Sequence, residues 1–298
     1  MDITPANLAG LHTAFTTAFN ERLTGLETSY GMVAITVPST TSENVYPRLD
    51  DIPAMRRWLG SREINSLTET GFVIRNEKFE NTISVGVDKI EDDQYGVYTP
   101  MVAELGQTAA ELPDELVWEV VASGFTAEGH DGQAFYDAEH PVEDENGETI
   151  LVSNLTAGAG EPWFLVDTSR MIKPFIFQDR RAARLVAKTS LTDDNVFHQD
   201  EFVWGTDRRC AAGFGAWQLI HASQAALTAE NYAAARAAML GMKGPKGRKL
   251  SLRPTHLIVP PALEGAAREV LLAERDAAGA TNVWRNTAEL HVERRLAP

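Results

Sequence analysis

A single long amphipathic run dominates the middle of this chain. Between residues 97 and 124, Met101, Leu105, Ala109, Leu112, Leu116 and Val120 follow one another at steps of four and three, which places them on one face of a helix. Thr99 with Pro100 reads as N-cap and first helical residue, and Gly124 as the C-terminal stop. Pro113 falls inside the run, where it removes one backbone hydrogen bond and should kink the helix at a cost of about 3 kcal/mol. The stripe keeps its register across Pro113, so one bent helix is expected rather than two. It reads as the backbone of a large, flat subunit and carries no catalytic signature.

The flanking sequence supplies the other elements. Thr4-Pro5 opens a first helix with Leu8, Leu11, Phe15, Phe19 and Leu23 on one face and Gly25 near its end. Residues 26–60 lack periodicity and hold Pro38, Pro47 and Pro53, which suits an extended arm with a short helical turn at 55–59 carrying Trp58. Residues 62–88 alternate, with Phe72 and Ile74, then Phe79, Ile83, Val85 and Val87, around a polar turn at 75–78; this is a β-hairpin pattern, and a lone hairpin needs a partner. Asn146-Gly147 marks a tight turn. Strand-like runs at 163–166, 175–177, 184–187, 202–204 and 217–220 read as one sheet packed on the long helix. Thr228 caps a helix with Leu227 and Tyr232 as its hydrophobic staple. A strand at 256–259, a Pro260-Pro261 break and a helix bearing Leu263, Ala267, Val270 and Leu271 make a compact α/β unit.

Composition narrows the function classes. The chain has 298 residues, 44% hydrophobic and 23% charged, as in an ordinary globular protein, and can bury a sizeable core. With no eighteen-residue apolar stretch and no N-terminal signal pattern, a soluble, non-exported protein is expected. The single Cys210 excludes an intrachain disulfide and a CxxC metal pair. The net charge of −15 argues against a nucleic-acid binder; the one short basic cluster, Lys243, Lys246, Arg248 and Lys249, lies in a Gly-rich loop and reads as a solvated turn.

No catalytic, cofactor or metal site emerges. The best candidate is His130-Asp131 with Asp137, Glu139 and His140, a ligand-rich stretch whose spacing fits no helix-borne metal motif; His140-Pro141 reads as a turn. Glu143, Asp144, Glu145 and Glu148 do not fall into a calcium-loop frame. Gly213-Phe-Gly215 lacks the third glycine of a dinucleotide fingerprint, and 241–249 lacks the Gly-Lys-Ser/Thr of a phosphate loop. Asn154-Leu-Thr156 fits a glycosylation sequon in a chain with no sign of export. Cys210, beside Arg208 and Arg209, could have a lowered thiol pKa, but no base pairs with it and an incidental thiol is favoured. Trp163, Trp204, Trp217 and Trp284 are expected in core or interface.

The order of several segments carries a resemblance: VPSTTSENVYPRL at 37–49, RNEKFENTISV at 75–85, the long helix, DGQAFYDAEHP at 131–141, FQDRR at 177–181, DEFVWGTDRR at 200–209, AGFGAWQL at 212–219 and HLIVPPALEGAAREVL at 256–271. Together they resemble the major head subunit of Mu-like bacteriophages and prophages, over nearly the whole chain. The resemblance implies an α+β, tailed-phage capsid fold of the kind first described for phage Hong Kong 97. It divides the chain into an N-terminal arm (1–60), an extended hairpin loop (61–90), a peripheral domain with spine helix and sheet (91–222) and an axial domain (223–298). It implies a structural, non-enzymatic subunit that assembles with itself into hexamers and pentamers of an icosahedral head. That head is put together in the bacterial cytoplasm, found in the virion, and encloses double-stranded DNA without specific binding. Portal and decoration proteins are implied partners, and no membrane is. The chain starts almost at its first helix, so a separate scaffolding protein is expected, together with a protease that removes it. Two other readings remain: an encapsulin-like compartment, and a metal-dependent hydrolase using the His130 loop.

Overall fold

Two sheets and the long helix organise the molecule; the computed structural model describes residues 2–46, 72–93, 96–276 and 278–297. In chain order the elements are α1 (Pro5–Gly25), α2 (Tyr30–Val33), β1 (Ala34–Pro38), β2 (Glu43–Tyr46), β3 (Phe72–Arg75), β4 (Glu77–Gly86), α3 (Val87–Glu91), α4 (Tyr98–Ser123), β5 (His140–Glu143), β6 (Thr149–Val152), β7 (Leu155–Thr156), β8 (Trp163–Val166), β9 (Phe175–Lys188), α5 (Asp194–Gln199), β10 (Glu201–Phe214), β11 (Ile220–Ser223), α6 (Ala229–Gly241), β12 (His256–Val259), α7 (Glu264–Leu271) and β13 (Glu289–Val292).

The spine helix α4 runs unbroken through Pro113 and is followed by Gly124, as expected. It starts at Tyr98, so Thr99 and Pro100 lie in its first turn, where proline's missing N–H costs no internal bond. The buried face is rotated from the expected stripe. Val102, Leu105, Gly106, Ala109, Ala110, Pro113, Val117, Trp118 and Val121 point inward, whereas Met101 is 50% exposed. Large side chains drew the expected stripe; the close-packed face is built partly from small ones, because α1 lies directly against α4. Pro113 cannot bond the carbonyl of Ala109. Arg208 of β10 does so instead, donating to Ala109 O at 3.2 Å while pairing with Asp179 at 3.0 Å and lying over the Phe177 ring. Arg208→Met is therefore expected to cost about 1–3 kcal/mol. In Pro113→Ala, which restores the helical donor, the same change should cost less; a double-mutant cycle by urea unfolding reads this coupling.

A four-stranded sheet, in the order β1-β9-β10-β4, carries α1 and α4 on one face. Two expectations change here. First, residues 30–46 are not a free arm: β1 pairs in parallel with β9, and Val33 and Ala34 are buried in the main core. The turn at 55–59 with Trp58 lies outside the described residues. Second, residues 72–86 are not one hairpin. β3 pairs with β2, while β4 pairs antiparallel with β10 over ten residues. The alternation was real, but Asn76 separates strands that belong to different sheets.

The expected single sheet also divides. Runs 175–177 and 184–187 are parts of the one strand β9, and 202–204 lies in β10. Runs 163–166 and 217–220 contribute instead to a five-stranded sheet, β13-β12-β8-β11-β7, the latter entering through a short 3-10 turn. Its central strand β8, Trp-Phe-Leu-Val, is buried throughout, the mark of a strand covered on both faces. Helices α6 and α7 pack on this sheet. Thr228 caps α6 by accepting from Asn231 N, with Leu227 and Tyr232 both buried. The sheet thus draws on residues 155–166 as well as the C-terminal part, so the expected division at 222/223 does not follow sheet membership.

Candidate functional site

The histidine-rich loop folds into the core. His140 opens β5 rather than a turn, is fully buried, and stacks on Trp217 with ring centroids 3.8 Å apart. Its Nδ1 lies 2.6 Å from the Asp131 carboxylate and its Nε2 3.1 Å from Asn154 Oδ1. Burial pushes Asp131 upward, but the hydrogen bond and charge of His140 outweigh it and leave the carboxyl below its usual range. Asn154 is pinned in turn: its amide donates to Phe135 O at 2.9 Å and Trp217 O at 3.3 Å, and its Oδ1 accepts from Asp137 N. This cluster braces the loop after α4 against the five-stranded sheet. It excludes a glycan at the sequon, since Asn154 is fully buried. Among the described residues no group of three or more His, Cys, Asp or Glu side chains is placed to hold a metal.

The remaining sequence candidates are structural as well. Burial pushes the Cys210 thiol up to about 12 in spite of nearby Arg208, opposite to what its arginine neighbours suggested. The acidic stretch at 143–148 is the turn of the β5–β6 hairpin: Gly147 takes φ +82 and Asp144 accepts from the amides of Asn146 and Glu148. Lys243 to Lys249 form a loop closed by one bridge. Trp163, Trp204 and Trp217 are buried, and Trp284 packs at the core's edge.

The surface offers more than the interior. On the β2–β3 ribbon, Val45 and Val73 face each other across the strands and are 56% and 51% exposed. At the tip of the long β9–β10 hairpin Phe197 is 78% exposed, and Leu191 and Val186 of the same hairpin are exposed too. Leu151 on β6 and Met171 before β9 add further apolar exposure. These exposed side chains are apolar surface available to another protein. Phe197 is not legible as a surface residue beforehand, because it sits among aspartates at 193, 194 and 200 in what reads as a polar loop.

A chain with this spine helix and these two sheets matches a known family. The model of the Mu-like prophage major head subunit gpT matches residues 8–296. The chain belongs to this family. The major capsid protein of Escherichia phage Mu is 39% identical over 289 residues, 95% of each chain. The subunit in the procapsid of bacteriophage JBD30 superposes with a TM-score of 0.88 at 38% identity, over 98% of this chain and 100% of that one. The JBD30 capsid decorated with minor capsid protein trimers gives 0.75 at 28% identity over the full length of both chains. As a member of the Mu-like head subunit family the chain is a major capsid protein with the tailed-phage capsid fold. Neither the compartment reading nor the hydrolase reading is favoured by these matches.

Proposed function

We propose that this chain is the repeating wall unit of a phage head, closing as hexamers and pentamers into an icosahedral shell around double-stranded DNA. The observation that carries the reading is the coextensive match: a head-subunit family over residues 8–296 and a procapsid subunit's fold over 98% of the chain. Wall units of one kind associate through extended surfaces, and the β2–β3 ribbon and the β9–β10 tip supply exposed apolar anchors for them. In this reading the five-stranded sheet with α6 and α7 is the axial part, the four-stranded sheet with α4 is the peripheral part, and the β2–β3 ribbon reaches a neighbouring copy. A net charge of −15 suits a container that holds DNA without gripping it. The role is structural. Assembly takes place in the host cytoplasm with a separate scaffolding protein and a portal, and a decoration protein covers the finished virion.

Electron microscopy of the chain expressed alone and with its neighbouring genes tests this. Closed shells, capsomers, tubes or sheets are the expected products. A monomer under every condition, with scaffold present, would overturn the proposal.

A further inference from the structure

One buried cluster serves none of the roles above. Immediately after Pro113, Asp114 points into the core, 4% exposed, and accepts from Ser29 N at 3.0 Å and Tyr30 N at 2.7 Å at the start of α2. Glu293, just beyond β13 and also 4% exposed, accepts from the Ser29 hydroxyl at 2.8 Å. That hydroxyl also lies 3.4 Å from Asp114 and takes a bond from the Trp118 indole at 2.8 Å. One serine thus joins two buried carboxylates that stand 85 and 264 residues away in sequence.

The charges facing this pair do not balance it closely. The C-terminal segment brings Arg295, whose guanidinium is 3.7 Å from Asp114 and 3.9 Å from Glu293, and His291, 3.1 Å from Glu293 and stacked on Trp118. The segment leading into α2 contributes only backbone amides and the Ser29 hydroxyl, and α4 only the Trp118 indole besides Asp114 itself. Two carboxylates therefore share one guanidinium, at long range. Buried like charges so placed repel, and one of them takes a proton more readily than in water.

We propose that Ser29, Asp114 and Glu293 form a proton-sensitive latch, which fastens the segment before α2 and the chain's C-terminal segment to the spine helix more firmly when Asp114 is protonated and Glu293 is ionised. The two carboxyls are driven apart. Burial, helped by the charge of Glu293, raises Asp114 against the pull of its amide donors and Arg295. For Glu293 burial also pushes upward, but the bonds from His291, Arg295 N and Ser29 prevail and lower it.

The signs follow from linkage. A raised carboxyl penalises the folded state once it ionises, so the Asp114 penalty fades as the pH falls through its folded pKa. A lowered carboxyl contributes stability above its unfolded value that is lost as the pH falls through its folded pKa. Latch stability therefore peaks in mild acid, between the two.

The test is the melting temperature of the full chain between about pH 7.5 and about pH 3, bracketing the carboxyl range, for wild type, Asp114→Asn and Glu293→Gln. Relative to wild type, Asp114→Asn should fare best at neutral pH, with that difference falling by about 2 °C or more towards acid. Glu293→Gln should trend oppositely, worst at neutral pH and recovering in acid. If Asp114→Asn instead follows Glu293→Gln, or neither difference changes with pH, the latch is refuted. Should Asp114→Asn not fold at neutral pH, that also counts against it, because the variant mimics the favoured protonation state.

Discussion

Gly106→Ala is expected to destabilise the subunit by about 2–3 kcal/mol, a sign opposite to the ordinary rule for helices. Alanine normally improves a helix interior over glycine by about 1 kcal/mol. At position 106 of α4, however, an added Cβ would stand 2.3 Å from the carbonyl oxygen of Phe19 and 3.0 Å from its carbon. That neighbour is backbone in the middle of α1, so no side chain can swing away and the two helices must separate. Separation would loosen Phe15 and Phe19, both buried beneath α4 and near Trp204. Gly10 in α1 is the matched control, with nothing within 4 Å of its virtual Cβ; Gly10→Ala should stabilise by about 0.5–1 kcal/mol. Urea midpoints of the two variants decide the matter. A stabilised Gly106→Ala would mean that α1 does not lie against α4 in solution.

Asn154→Ala should cost more, about 3–5 kcal/mol. The side chain is fully buried, and its removal strands the carbonyl of Phe135, the amide of Asp137 and Nε2 of His140, and takes one of two donors from the carbonyl of Trp217. No water reaches these groups without opening the layer between the loop after α4 and the five-stranded sheet. The expected readout is a large drop in denaturant midpoint together with faster hydrogen exchange in 131–142. A loss below about 1 kcal/mol would show that the cluster relaxes around a small residue and that its bonds are dispensable.

The local chemistry of this fold was easier to read than its pairings. Caps at Thr4 and Thr228, the Asn146-Gly147 turn, strand β12 and helix α7 all declare themselves through side chains within a few residues of the feature they control. Strand partners do not. β1 finds β9 about 140 residues away, and β4 finds β10 more than 110 away, so nothing in residues 75–78 could say that a polar link joins two sheets rather than turning a hairpin. The expected stripe held Leu105 and Ala109 but not Gly106 and Ala110, which carry little hydrophobic signal although their smallness is what lets a second helix approach. Asp114 did leave a trace: an acid in phase with Ala110, Val117 and Val121 on the buried side. The surface anchors were the least legible part, since exposure depends on the finished fold.

Ser29 and Glu293 meet in the folded subunit although nearly the whole chain separates them. During synthesis, that meeting has to wait until residue 293 has left the ribosome. Until then the hydroxyl of Ser29 lacks its Glu293 acceptor and β13, the edge strand of the five-stranded sheet, is unfinished. A nascent copy cannot offer the finished contact surfaces, however crowded the polysome. For a protein that has to be made in bulk and then polymerise only with complete copies, this closing order is a built-in delay against premature lattice growth.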